Sequence, residues 1–188
     1  MGYDTLGLSK IWSRGLICAF EPVPILYKAL CARVMSQANV KTYNLALGEK
    51  DTNISMYVSD GESNASSSIL KPSKHIELFP GVSFDNTISV RMKSIQTWAQ
   101  EERITSIDLM WLDMQGYEVN ALRGMGTLLK QVRVIYTELC RDELYQGLTT
   151  REAYIDFLKT SGFELISVLE EDALVSDGIF VNRELKGS

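Results

Sequence analysis

The chain has 188 residues, of which 45% are hydrophobic and 23% charged, enough for one domain with a real core and too few for two full ones. This is ordinary globular composition and excludes a disordered chain. The net charge is −5 with Lys and Arg scattered rather than bunched, so there is no electrostatic footprint for nucleic acid or an anionic membrane.

In chain order, residues 3–13 read as a helix that Arg14-Gly15 stop. Leu16 to Phe20 form a continuous apolar run, as a strand buried on both faces should, and Glu21 ends it. Pro22 and Pro24 open the next helix, in which Leu26, Leu30 and Val34 repeat at helical spacing. Val40 to Leu45 is the next short strand, which completes the rhythm of a parallel, doubly wound sheet. Ile54 to Val58 and Thr87 to Met92 read as strands joined by 59–86, a segment rich in Ser, Gly, Asn and Pro. A connection of that length is expected to be functional or mobile, and here to form a lid-like loop or a wall of the acceptor site.

Beyond Met92 the alternation resumes. Ser94 to Gln100 reads as a short helix, Ile107 to Asp113 as a strand, and Tyr117 to Lys130 as a helix interrupted by Gly124 and Gly126. Val132 to Leu139 is a strand with Glu138 near its end, and Thr149 with Glu152 predicts a capping box at the helix that follows. Phe163 to Leu169 and Gly178 to Asn182 are strands separated by only eight residues. That is too short for a helical crossover, so they are expected to pair antiparallel.

The cysteines are Cys18, Cys31 and Cys140, an odd number without C-x-x-C spacing. Cys18 and Cys140 read as small buried hydrophobes. A disulfide framework and a metal site are not expected, and a reducing cytoplasm fits best. No apolar run approaches the roughly 20 residues of a membrane helix, and there is no secretory signal pattern.

The chemistry-bearing residues cluster at strand ends. In Ile107 to Glu118 an apolar strand ends in Asp113, and Gln115-Gly116-Tyr117-Glu118 turn the chain into a helix. Open α/β sheets place ligand-binding groups at such ends, although a simple strand cap reads the same way. Glu21 either accepts hydrogen bonds from ribose hydroxyls or caps the next helix. Glu118 as a first-turn acid needs no further role. Asp113, Glu118 and Glu138 together would suit an ammonium, a sulfonium or a hydroxyl proton. His75, the only histidine, is expected to be solvated in its Ser-rich loop. No hydrolase elbow or phosphate-binding loop is present.

The segments 19–24 (AFEPVP), 44–49 (NLALGE), 66–68 (SSS), 107–118 (IDLMWLDMQGYE), 121–125 (ALRGM) and 176–181 (SDGIFV) resemble, in order and spacing, the FkbM-like S-adenosylmethionine-dependent methyltransferases. The likeness covers nearly the whole chain. Asp113 with Gly116-Tyr117-Glu118 is fairly specific, whereas Phe20-Glu21-Pro22 alone is weak. The resemblance implies one domain over 1–188 with an α/β, Rossmann-like class I methyltransferase sheet, mostly parallel and closed by a C-terminal antiparallel hairpin. It implies S-adenosylmethionine as cofactor and methyl transfer, usually to oxygen, on a small-molecule or glycan hydroxyl. Glu21 would hold the cofactor ribose, and Ala46 and Leu47 would lie near its adenine, with Pro22, Asn44 and Met114 completing the cofactor site. Asp113 would line the methionine end and take the hydroxyl proton, with Glu138 behind it.

Two departures accompany the likeness. The family's first strand and glycine-rich cofactor loop would fall immediately before residue 1, with Gly2 as the last glycine of that loop. Gln96 and Gln115 stand where related sequences often carry acids. The first strand of such sheets lies between the strands ending at Glu21 and Asp113, so a gap is expected there. Direct pairing, a segment from another copy, or upstream residues would close it. A truncated, non-catalytic binding module is the alternative from another class, and a nucleotide-binding oxidoreductase is disfavoured by the antiparallel ending.

Overall fold

The computed structural model describes residues 2–185; Met1 and 186–188, part of the expected domain 1–188, lie outside the described residues. The elements run α1 (Tyr3–Ile11), β1 (Ile17–Phe20), α2 (Pro24–Val34), β2 (Val40–Tyr43), β3 (Ala46–Gly48) and β4 (Thr52–Gly61). They continue with α3 (Lys74–Leu78), β5 (Val82–Ser94), α4 (Ile95–Glu102), β6 (Ile107–Leu112) and α5 (Glu118–Arg123). A 3-10 turn (Gly126–Gln131) leads into β7 (Val132–Cys140), α6 (Arg151–Thr160), β8 (Phe163–Leu169) and β9 (Val175–Asn182).

Local chemistry accounts for most boundaries. Pro24 opens α2, where its missing N–H is no loss, and Leu26, Leu30 and Val34 are its buried stripe. Ser94 caps α4 by accepting a hydrogen bond from the Thr97 N–H at 3.0 Å. The expected capping box fails: α6 starts one residue later, behind Thr150, which makes no side-chain cap bond. Thr149 instead borders a cavity described below.

The sheets are mixed. β1 pairs parallel with β2; β3, β5 and β4 form a three-stranded sheet; β6, β7, β9 and β8 form a four-stranded one. Among the described residues the β1–β2, β3–β5 and β6–β7 pairs are parallel, while β4–β5, β7–β9 and β8–β9 are antiparallel. The expectation of a mostly parallel sheet therefore gives way to an even mixture. The C-terminal antiparallel pairing of β8 with β9 is as expected. The rest comes from β7–β9 and from β4–β5, whose ladder extends to Gly61–Val82 and absorbs both ends of the long 59–86 connection.

The main core joins these sheets through Leu47, Trp98, Leu112, Leu122, Met125, Ile135, Leu139, Phe163 and Phe180. Phe20 and Tyr43 stack on each other at 5.0 Å and both meet the Trp98 ring edge-on, which ties the β1–β2 pair to α4. Cys18 and Cys140 are half-buried rather than fully buried, and all three thiols are free.

β1 and β6 face each other without pairing. A groove of about 740 Å³ separates them, lined by Ile17 to Phe20 on one side and Ile107 to Leu112 on the other. This corrects the expectation of strands buried on both faces. All four residues of β1 are only half-buried, and Trp111 of β6 is 45% exposed. An apolar run can be buried on both faces only when strands or helices flank it, and these two have an open flank. No helix of the described residues is long and apolar enough to cross a membrane.

Candidate active site

The residues singled out at strand ends converge at the upper end of this groove. Glu21, Pro22, Ala46, Leu47, Asp113 and Met114 all line it. Asn44 is not among its walls; its Nδ2 donates to the carbonyls of Glu21 (2.8 Å) and Pro22 (3.0 Å) and so fixes the turn that presents Glu21. Ala46 and Leu47 are buried strand residues that offer the groove a flat apolar floor.

Glu21 caps the following helix and also borders the groove. Its Oε1 accepts the Val23 N–H at 2.8 Å, at the start of α2, while the side chain borders the groove. Burial pushes its carboxyl up to about 7, with the Asp113 charge adding to the rise. Glu21 and Asp113, which follow β1 and β6, both border the groove.

The turn after β6 is built around Gln115 and Gly116, both in the left-handed region at φ 52° and 92°. Glycine adopts that conformation freely and a glutamine does not, so Gln115 is held by its surroundings. Its carbonyl accepts from Ser68 Oγ at 2.7 Å. Its Oε1 accepts from the Tyr145 hydroxyl at 2.9 Å. Its Nε2 donates to Asp113 Oδ1 at 2.8 Å and to Glu138 Oε2 at 3.2 Å. Glu118 fastens the same turn from below, its buried Oε1 accepting the N–H groups of Met114 (2.8 Å) and Gly116 (3.2 Å). Its role is structural, and burial pushes its carboxyl up to about 7.

Asp113 and Glu138 form an acid pair. Burial raises both; their direct interaction lowers Asp113 and raises Glu138, which reaches about 8. Two carboxyls that share a site hold a proton more readily than either would alone, and their interaction favours it on Glu138. Asp113 remains open to solvent at the lip of the groove. A solvated but concave position, walled by protein, both exposes a carboxylate and weakens its hydration.

Behind Gln115 lies a second, smaller cavity of about 360 Å³, bordered by Glu138, Tyr145, His75, Phe79 and Leu148. Gln115 borders both spaces, with Asp113 on the groove side and Glu138 on the cavity side. The 59–86 connection supplies part of the roof: Ser66 accepts the Tyr145 hydroxyl through its carbonyl at 2.8 Å.

His75 is not solvated as its loop context suggests. It is 4% exposed and packed among Phe79, Phe84 and Tyr145, with ring centroids 4.8 to 5.3 Å away. Burial lowers its pKa, so the ring is neutral. The signal for this was the spacing of His75 in α3 and Phe79 at its C-cap, four residues apart. Gln115 and Tyr145 were missed as hubs, since a turn glutamine and a loop tyrosine carry no local signature of what they bridge. Among the described residues no group of His, Cys, Asp and Glu side chains could hold a metal ion.

Comparison with known proteins places the chain among relatives. The sequence model described as the methyltransferase FkbM domain matches residues 2–165. The 2-O-methyltransferase NoeI of Sinorhizobium fredii (strain NBRC 101917 / NGR234) is 31% identical over 172 residues, covering 88% of this chain and 70% of that protein. Among solved structures, the methyltransferase FkbM from Methylobacillus flagellatus KT superposes with a TM-score of 0.55 at 10% identity. That match covers 96% of this chain, which spans 40% of the solved one, and it shows a shared fold.

Proposed function

The chain belongs to the FkbM methyltransferase family, and from that premise we propose that it moves a methyl group from S-adenosylmethionine to a hydroxyl oxygen of a small molecule or glycan. The observation that carries this reading is the Asp113–Gln115–Glu138 bridge, which sets two acids between a large groove and a small cavity.

The end of the groove where β1 and β6 finish carries groups suited to the cofactor, Glu21, Ala46, Leu47 and Asp113 among them. The Glu21 carboxylate can accept ribose hydroxyls, and Ala46 and Leu47 offer apolar surface for an adenine ring. Asp113 at the lip would attract a sulfonium, whose charge would in turn favour its ionised form. The chemistry supplied by S-adenosylmethionine when bound is an electrophilic methyl group, the sulfur keeping the electron pair of the broken S–C bond. This chain then has two tasks. It must hold the acceptor oxygen in line with that carbon, which is mainly a matter of positioning. It must also take the hydroxyl proton as the new O–C bond forms, which Asp113 does while Glu138 keeps its own proton and limits the local charge. The three free thiols fit a reducing compartment such as the cytoplasm.

The test is transfer of isotopically labelled methyl from S-adenosylmethionine to a panel of neutral glycosides and small alcohols. Label appearing in an ether, and lost on Asp113→Asn, supports the reading; no transfer to any member of the panel contradicts it.

A second reading, a non-catalytic binding module, is favoured by the unpaired facing edges of β1 and β6. Open edges are templates for another strand, and a segment of a second copy laid between them would satisfy both. Sedimentation at rising concentration tests this: association supports it, and a monomer throughout removes it.

A further inference from the structure

Resting on the methyl-transfer reading, we propose that Tyr145 and Ser68 are positioning residues for that reaction, clamping Gln115 by its two oxygens so that its amide donor stays on Asp113 and Glu138. Neither residue borders the groove, so both act through Gln115. Ser68 Oγ donates to the Gln115 carbonyl at 2.7 Å, and the Tyr145 hydroxyl donates to Oε1 at 2.9 Å. Both donors are buried, and burial raises the Tyr145 phenol, which therefore keeps its proton.

The clamp meets two needs. Gln115 stands at φ 52°, a conformation that its surroundings must hold. Its side-chain amide also has two ends of one shape and opposite hydrogen-bonding character. A hydroxyl that donates to Oε1 settles which end meets the acids. The clamp is itself anchored. Ser68 exchanges backbone hydrogen bonds with Tyr57 of β4 at 2.8 and 3.0 Å. The Tyr145 ring packs against His75 and Phe84, and its hydroxyl also reaches the Ser66 carbonyl at 2.8 Å.

What depends on the clamp is the charge of Asp113. Among the described residues, the ionised groups that bear on it are acids: Glu138 on β7, Asp177 on β9, Asp4 on α1, Glu21 before α2 and Glu118 on α5. Burial opposes its ionised form most, and the Gln115 donor favours that form most. A general base must be ionised to take a proton, so a Gln115 that drifts weakens the base without touching it.

The experiment follows the Asp113 and Glu138 carboxyl carbons by NMR through a pH titration without cofactor. The parent is compared with Tyr145→Phe, Ser68→Ala and Gln115→Met. Two coupled acids titrate as a pair, so the lower midpoint marks the first charge. Gln115→Met keeps the length and removes the donor. It should raise that midpoint by about tenfold in proton affinity, the effect of one hydrogen bond to a charged group. Tyr145→Phe and Ser68→Ala should each move it about two- to fivefold the same way, and adding either to Gln115→Met should move it no further. The acid limb of kcat should rise with the same variants, while KM for S-adenosylmethionine holds. The proposal is overturned if either folded hydroxyl variant leaves the midpoint in place, or if its shift adds in full to that of Gln115→Met. Should Tyr145→Phe not fold, Ser68→Ala and its double variant decide. Midpoints that move as expected in a protein that methylates nothing would remove the methyl-transfer reading and leave the clamp. Methyl transfer whose pH profile ignores all three variants would leave that reading and remove the proposal.

Discussion

Asp113 and Glu138, on neighbouring strands, share one hydrogen-bond donor: Gln115 Nε2 lies 2.8 Å from the first carboxyl and 3.2 Å from the second. The arrangement turns Asp113 toward the groove and Glu138 toward the cavity. Asp113→Asn keeps an oxygen for Gln115 and removes the base. Turnover should fall about a hundredfold or more, in the range general-base removal costs, with the melting temperature little changed. A steady-state assay beside a thermal melt checks this, and unchanged turnover would remove Asp113 from the chemistry.

Glu21 should act on binding rather than turnover. Glu21→Gln retains an acceptor for the Val23 N–H but weakens the grip on ribose hydroxyls. Loss of a charged hydrogen bond costs about 1.5–3 kcal/mol, or roughly ten- to a hundredfold in affinity. Calorimetric titration of S-adenosylhomocysteine measures it, and equal affinity in the variant would clear Glu21 of that role.

Glu118 gives stability a pH dependence. Burial raises its folded-state value from the ordinary 4.5 to about 7. Between those values the folded chain holds a proton that the unfolded chain has released. The stability this group contributes is therefore full below about 4.5 and lost as the pH rises through about 7. The amide introduced by Glu118→Gln cannot titrate and can still accept from Met114 and Gly116. Urea unfolding at pH 5 and pH 8 should show the variant gaining on the parent by up to about 3 kcal/mol at the higher pH. Parallel behaviour of the two proteins would contradict the assignment.

Gly124 seats α5 on β3. A Cβ there would stand 1.9 Å from the Gly48 carbonyl oxygen, while its φ of −73° is one any residue adopts. The cost of Gly124→Ala is thus one of packing, about 1–3 kcal/mol. Because β3 carries Ala46 and Leu47, cofactor affinity should fall with stability. Denaturant unfolding reads the first effect, and a variant as stable as the parent would place α5 elsewhere.

Much of this was legible in the residues. The stripe of Leu26, Leu30 and Val34, the acid at the end of Leu16 to Phe20, and the short gap between β8 and β9 each follow from local pattern. So did the placing of Glu21 and Asp113 beside one groove. What local pattern cannot carry is which strand lies next to which. The apolar runs of β1 and β6 look like strands flanked on both sides, yet each faces open groove. His75 depends on Phe84 from β5 and Tyr145 from the loop after β7, partners remote in sequence that a five-residue helix does not announce. Gln115 is a hub only because Ser68, Tyr145 and Glu138 arrive from three other parts of the chain.

The most direct measurement is the crystal structure of this chain with S-adenosylhomocysteine bound. The account predicts ribose hydroxyls on the Glu21 carboxylate, adenine against Ala46 and Leu47, and the sulfur on the Asp113 side of Gln115 with the His75 cavity left open. A nucleoside seated in the His75 cavity, or bound away from both Glu21 and Asp113, would contradict it.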